Sequence, residues 1–179
     1  FHPFFGNHNY ENVMAAIAMT IEAGVPLNII INVIKDFMGV EHRIEYVRDK
    51  NGVRYYNDSK GTNPDSSIKA LEAMSRPTIL IAGGYDKHSE FDEFIEAFDN
   101  KVKLMVLLGQ TADKIEETAV RHGFTNIIKT DSLEKAVKIC AENAVSGDVV
   151  LLSPACASWG MFKNYEERGK LFKEYVNSL

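Results

Sequence analysis

The first candidate for chemistry is a polar loop after an aromatic strand, in the stretch YYNDSKGTNPDS at residues 55–66. Asp58, Lys60 and Thr62 stand close together in it. A buried carboxylate can accept the hydroxyls of a ribose, and a lysine beside a hydroxyl can hold a phosphate or a carboxylate. The same composition is typical of a solvated turn whose Asn or Asp caps a helix over residues 66–74. Spacing alone leaves both interpretations open.

Two other loops combine small residues with possible ligands. Residues 83–88, GGYDKH, include Lys87, although paired glycines after a strand are also common in simple tight turns. An apolar run at residues 149–152 leads into SPACAS, residues 153–158, whose small side chains leave backbone groups open to a ligand. Cys156 has no histidine in its loop, so we interpret it as a packing residue rather than a nucleophile. We expect three aromatic residues beyond it to form core or pocket wall: Trp159, Phe162 and Tyr165.

A strand followed by a helix recurs along the chain and would position these loops. The predicted strands are 78–82, 104–108, 127–128 and 149–152, and the helices that follow them are 91–98, 112–122, 133–143 and 165–176. This pattern predicts an α/β fold with a Rossmann-like, doubly wound, mostly parallel sheet and helices on both faces. Loops after parallel strands share one edge of the sheet. We therefore expect four segments to converge: 57–63, 83–88, 109–110 and 153–158.

The beginning of the chain follows a different pattern. Residues 9–23 have apolar side chains at helical spacing, and residues 27–38 predict a second short helix. After Ile44 the pattern alternates, and Lys50-Asn51-Gly52 predicts a hairpin turn between two strands. A boundary near residue 39 is therefore expected. Within the first helix, Asn12 could present its amide to a base or a ribose, or cap the helix N-terminus.

Composition excludes several classes of function. The net charge is −5 and there is no block of basic residues, so no nucleic-acid partner is expected. No apolar run approaches the roughly 20 residues of a membrane helix. Cys140 and Cys156 show neither a disulfide framework nor metal-ligand spacing, which favours the cytoplasm and predicts no metal ligands. No Gly-x-x-x-x-Gly-Lys-Ser/Thr loop occurs, so an ATP-driven reaction would need residues beyond this chain.

Taken in order, five motifs resemble the C-terminal part of the Mur ligase family, and most closely its D-glutamate-adding branch. They are GNHNYENVMAAIAMTIEAGVP, EHRIEYV, YYNDSKGTNPDSS, LIAGGYDK and LLSPACASWGMFKNYEERGKLF. The resemblance implies an enzyme of three domains. Residues 1–39 would be the closing helices of a central ATPase domain. Residues 40–179 would be a Rossmann-like domain that binds the amino acid.

The implied reaction is ATP-dependent. With ATP and Mg²⁺, bound mainly by the central domain, the carboxylate of UDP-N-acetylmuramoyl-L-alanine becomes an acyl phosphate, and the amine of D-glutamate attacks it during peptidoglycan precursor synthesis. The resemblance implies a cytoplasmic monomer without nucleic-acid or membrane partners. It assigns ATP contacts to Asn12, Arg43 and Asp58. It assigns substrate contacts to Thr62, Lys87, Ser158, Trp159 and Tyr165, with Lys60 and Lys87 as the catalytic residues.

Two alternatives remain open from the residues. The chain could be a free-standing Rossmann-like module that binds an acidic metabolite without catalysis, which the missing phosphate loop favours. It could also be a piece of a folate-type ligase, which shares the Gly-x-His-Asn-x-x-Asn and His-Arg motifs. The SPACAS and DSK motifs argue against that last alternative.

Overall fold

The computed structural model describes residues 7–37 and 39–179, in two compact units, Phe1–Glu41 and His42–Leu179. The first unit holds two helices, α1 (Asn7–Glu22) and α2 (Leu27–Asp36). Both predicted helices are confirmed, and Met38, predicted as the end of the second, lies outside the described residues. The units divide between Glu41 and His42, near the boundary expected around residue 39. The assignment of residues 1–39 to an ATPase domain stays a prediction.

Six strands form one sheet in the second unit, in the order β1-β2-β6-β3-β4-β5. They are β1 (Glu45–Lys50), β2 (Val53–Asn57), β3 (Thr78–Ala82), β4 (Val102–Leu107), β5 (Ile127–Lys129) and β6 (Val149–Leu152). β1 and β2 form an antiparallel hairpin, and the other neighbouring strands pair in parallel. The predicted mostly parallel sheet with a hairpin strand is confirmed.

Helices pack on the sheet because its strands are apolar on both sides. The helices of the second unit are α3 (Pro64–Glu72), α4 (Asp92–Glu96), α5 (Ala112–Arg121), α6 (Leu133–Asn143) and α7 (Tyr165–Ser178). On one side, Ile79 and Ile81 share a core with Val137 of α6 and Phe172 of α7. Leu80 lies between them in β3, is also fully buried, and faces the other side. No helix in the described parts of the chain is long and apolar enough to cross a membrane.

The register of the parallel strands aligns their carboxyl ends. Asn57, the last residue of β2, pairs with Leu152 of β6, which in turn pairs with Ile81 of β3. Ala82 of β3 pairs with Leu107 of β4. The loops that follow β2, β3, β4 and β6 consequently leave the sheet at one edge, which we call the rim.

Candidate functional site

Four loops meet at the rim. In chain order the first, second, third and fourth rim loops are residues 57–63, 83–91, 108–111 and 153–164. The Gly83 N–H donates to the Pro154 carbonyl (2.8 Å) and the Tyr85 N–H donates to the Ala157 carbonyl (2.9 Å), so the second and fourth loops run side by side. The third loop joins through Thr111, whose N–H donates to a carbonyl of the second loop at 3.1 Å. The predicted convergence is confirmed.

Glycine is required at residue 83, where the second rim loop leaves β3. Gly83 has a φ of 103°, in a region that favours glycine. A Cβ there would lie 2.1 Å from the carbonyl oxygen of Leu108. The first glycine of the pair therefore serves the close approach of the second and third loops, in line with the tight-turn interpretation of this motif.

Three polar side chains form a buried cluster beneath the rim: Asp58, Ser67 and Ser153, each 0% exposed. Ser153 Oγ lies 2.7 Å from Asp58 Oδ2, to which it donates, and 2.8 Å from Ser67 Oγ. Asp58 belongs to the first rim loop, Ser67 to α3 and Ser153 to the start of the fourth rim loop. The buried cluster therefore ties these three segments together.

The same buried cluster holds two residues in the left-handed backbone region. Ile44 has a φ of 47° and Ala155 a φ of 56°, a conformation that costs roughly 1–2 kcal/mol for such residues. The Ile44 N–H donates to Asp58 Oδ1 at 3.2 Å, and the Ala155 N–H donates to Ser67 Oγ at 3.0 Å. One strained turn carries Arg43 and the other leads to Ser158. The cluster thus fixes the backbone on both sides of the rim.

The electrostatics of Asp58 follow from its burial. Loss of water raises the pKa of the Asp58 carboxyl to about 7, against the opposing effects of the Ser153 hydroxyl and the Arg43 guanidinium. Both carboxylate oxygens already have donors within the chain. Asp58 is 0% exposed and supports the turn at Ile44. Its predicted contact with ATP stays a prediction.

Each predicted catalytic lysine lies over an aromatic ring of the fourth rim loop or of α7. Lys60 Nζ is 5.7 Å from the centroid of the Tyr165 ring, and Lys87 Nζ is 5.1 Å from the centroid of the Trp159 ring. The Trp159 side chain is 54% exposed and its ring lies 5.4 Å from that of Tyr85. The two ammonium groups are therefore positioned at the rim by rings on either side of the segment 160–164.

The remaining predicted site residues differ in their placement. Thr62 is half-buried in the first rim loop and Ser158 is buried in the fourth, where its carbonyl accepts the Phe162 N–H at 3.0 Å. Arg43 is half-buried in the strained turn before β1. Asn12 is exposed within α1 of the first unit, beyond its first turn, so the helix-capping interpretation is wrong for this residue.

Cys156 behaves as a packing residue, as expected. It is buried, and its Sγ lies 3.2 Å from Thr111 Oγ1. Burial raises the pKa of the Cys156 thiol to about 11, which disfavours the nucleophilic thiolate at neutral pH.

Two polar groups that support the rim were not predicted from the sequence. Asn57 Nδ2 donates to His42 Nδ1 (2.9 Å) and to Glu45 Oε2 (3.0 Å), linking the hairpin to the first rim loop. Arg168 is buried among hydrogen-bond acceptors of the first and fourth rim loops. One sequence signal existed for it. Arg168 stands four residues before Phe172 on the buried stripe of α7, where a charged side chain needs partners.

A family model and curated relatives place this chain in the same family. Residues 42–156 match the family model described as "Mur ligase, glutamate ligase domain". A curated protein of Lachnospira eligens, named UDP-N-acetylmuramoylalanine--D-glutamate ligase, is 67% identical over 174 residues, which cover 97% of this chain and 39% of that protein. A protein of the same name from Thermoanaerobacter sp. is 56% identical and is covered to 39%. The chain thus spans about two fifths of these relatives.

Solved structures share the fold at low sequence identity. The UDP-N-acetylmuramate-alanine ligase of Thermotoga maritima has a TM-score of 0.71 at 18% identity, with 97% of this chain and 38% of that chain covered. A pseudomurein peptide ligase type C from Methanothermus fervidus has a TM-score of 0.72 at 17% identity, with coverage of 97% and 36%. The MurF ligase of Thermotoga maritima, in complex with ADP, has a TM-score of 0.63 at 22% identity, with coverage of 98% and 40%.

Proposed function

The chain belongs to the Mur ligase family through its glutamate ligase domain, and on this premise we propose that it is part of an enzyme that adds D-glutamate to UDP-N-acetylmuramoyl-L-alanine. Residues 40–179 bind the amino acid, and residues 1–39 close a neighbouring ATPase domain. The names of the relatives at 67% and 56% identity support this substrate choice. The activity requires protein beyond these 179 residues, because no phosphate loop occurs among them.

The observation that carries the proposal is the pair of lysines at the rim. D-glutamate is a dicarboxylate, and a small dianion needs a cation or a donor at each end. Lys60 on the Tyr165 ring and Lys87 on the Trp159 ring provide two cations from separate loops. Ser158 lies next to Trp159 in the fourth rim loop. We assign the carboxylates of D-glutamate to these lysines, with Thr62 and Ser158 as further ligands.

The predicted ATP contacts are Arg43 and Asp58 in the second unit and Asn12 in the first, and each is considered by itself. A half-buried arginine suits phosphate or ribose, so Arg43 fits a nucleotide by its chemistry. The exposed amide of Asn12 fits a base or a ribose. Asp58 acts indirectly in this proposal, because its Oδ1 holds the Ile44 N–H and thereby the strained turn that presents Arg43.

The proposed chemistry joins one carboxylate to one amine. The carboxylate of UDP-N-acetylmuramoyl-L-alanine is activated with ATP and Mg²⁺ as an acyl phosphate, with release of ADP. The D-glutamate nitrogen then forms the C–N bond, loses a proton, and inorganic phosphate leaves. Residues at the rim orient the amine and neutralise the carboxylates beside it. Such positioning supplies up to about 7–11 kcal/mol of a two-substrate barrier.

The test uses a protein that carries this chain together with the remaining length of its relatives. ADP release should require UDP-N-acetylmuramoyl-L-alanine and D-glutamate together, and L-glutamate is the control substrate. Lys60→Met should reduce the rate by at least about tenfold if its charge assists the step. ADP release that ignores D-glutamate would refute the proposal. Binding of D-glutamate without any ADP formation would favour the alternative of a module that binds an acidic metabolite.

A further inference from the structure

Arg168, near the start of α7, is a buried cation at the rim and only 2% exposed. Its Nε donates to Ser59 Oγ at 3.0 Å, and its Nη2 donates to the Ser59 carbonyl at 2.8 Å. Its Nη1 donates to the Cys156 carbonyl at 3.2 Å. One planar guanidinium therefore joins the first rim loop, the fourth rim loop and α7.

Ser59 extends this connection. Its Oγ accepts the Arg168 Nε–H and donates to the Tyr165 carbonyl at 2.7 Å. Proposed D-glutamate ligands lie beside Ser59 and at its hydrogen-bond partner. Lys60 follows Ser59 in the chain, and Tyr165 begins α7.

The energetics favour a role in geometry. A buried guanidinium costs several kcal/mol, and an apolar side chain on the same stripe as Phe172 would avoid that cost. Burial lowers the pKa of the Arg168 guanidinium to about 10, so its charge persists at neutral pH. The described acceptors of the guanidinium are a hydroxyl and two carbonyls rather than a carboxylate, so no ion pair offsets the cost of its burial.

We propose that Arg168 is a positioning residue that fixes the first and fourth rim loops relative to each other, and thereby the two sets of D-glutamate ligands. This inference rests on the proposed function, because the ligands are those assigned to D-glutamate. Without the guanidinium, the first and fourth rim loops stay joined at their starts by the hydrogen bond between Ser153 and Asp58, but the segment with Lys60 and Thr62 can shift relative to Ser158. The affinity for D-glutamate then falls, whereas the nucleotide side is retained, because Asp58 keeps its hydrogen bonds with Ser153 and with the Ile44 N–H.

Three variants separate this role from general stability. Arg168→Met keeps the length of the side chain and removes every donor. Arg168→Lys keeps the charge but cannot reach both loops, and it serves if the methionine variant does not fold. Val176→Ala is the matched control, because Val176 is also buried on α7 but lies about two turns beyond Arg168, in the apolar core, and its side chain donates no hydrogen bond to a rim loop.

Hydrogen exchange of the 179-residue chain tests the connection without any substrate. Arg168→Met, or Arg168→Lys, should speed exchange at residues 59–62 and 156–159 by about tenfold or more, relative to α6. Val176→Ala should not single out these two loops. Equal changes in both variants, or unchanged loops in the arginine variants, would overturn the inference.

Steady-state kinetics of the longer protein give the second measurement. Arg168→Lys should raise the KM for D-glutamate about tenfold and leave the KM for ATP within about twofold of its unaltered value. Val176→Ala should change neither KM. Equal increases in both KM values refute the positioning role. If the unaltered protein shows no D-glutamate-dependent activity, the proposed function fails. The exchange measurement then decides alone whether Arg168 joins the loops.

Discussion

Replacing Asp58 by asparagine should stabilise the second unit at neutral and alkaline pH. In the variant, the amide oxygen takes the place of Oδ1 and accepts the Ile44 N–H. The amide NH₂ takes the place of Oδ2 and donates to Ser153 Oγ, which turns its own proton toward Ser67 Oγ. The hydrogen bonds of the buried cluster are preserved, and the cost of burying a negative charge is removed.

The magnitude follows from the pKa of Asp58. Burial raises that pKa from 3.8 to about 7, a difference worth about 4 kcal/mol between the two protonation states. Since the folded state binds the proton more tightly, the contribution of Asp58 to stability is fully present below about pH 4 and is lost as the pH rises to about 7. Between pH 5 and pH 8 the loss amounts to about 2–3 kcal/mol.

Urea unfolding of the 179-residue chain can measure this effect. Trp159 is the single tryptophan and lies in the second unit, so its fluorescence reports on that unit. The free energy of unfolding should fall between pH 5 and pH 8 more steeply in the unaltered chain than in Asp58→Asn. Asp65→Asn, at an exposed position of α3, controls for the loss of one charge. Parallel pH profiles, or an Asp58→Asn variant less stable at pH 8, would refute the reasoning.

The remaining predictions concern the two sides of the rim. Lys87→Ala should raise the KM for D-glutamate about 10–100-fold in the longer protein, since a hydrogen bond to a charged group is worth roughly 1.5–3 kcal/mol; an equal change for ATP would contradict this. Trp159→Leu should raise the same KM about two- to fivefold by removing the ring under Lys87, whereas Trp159→Phe should change it less. Asp58→Ala should raise the KM for ATP while Asp58→Asn should not, because only alanine leaves the Ile44 N–H without its acceptor; equal effects would instead indicate direct contact.

The elements of the sheet could be predicted from the sequence because apolar runs and glycines mark them clearly. The first and last residues of the strands and helices were less predictable. The strand predicted at residues 104–108 begins at Val102, whose pairing with Thr78 precedes a register shift. The helix predicted at 91–98 is shorter: α4 runs only from Asp92 to Glu96, and a turn in which Asp99 and Asn100 have positive φ values follows it.

The inward orientation of individual polar side chains could not be predicted. The pattern NDSK places Asn57, Asp58, Ser59 and Lys60 in one loop, yet the first three are fully buried and only the lysine reaches the surface. A loop has no fixed periodicity, so the sequence does not tell which of its side chains face inward. Arg168 was equally hard to place, since its acceptors are loop carbonyls and a hydroxyl distant in the chain.

The rim therefore has two layers with different physical tasks. Beneath it, Asp58 and Arg168 are buried and hydrogen-bonded, and with Ser67 and Ser153 they hold the loop backbone in place, strain included. Above them, the charged ends of the proposed ligand lysines lie on aromatic rings, and these long side chains can adjust to a substrate. Charge that must meet a carboxylate is most effective when its support does not reorganise during the reaction. The buried layer supplies that support. Changes at Arg168 should therefore weaken the binding of D-glutamate, although Arg168 is assigned no contact with it.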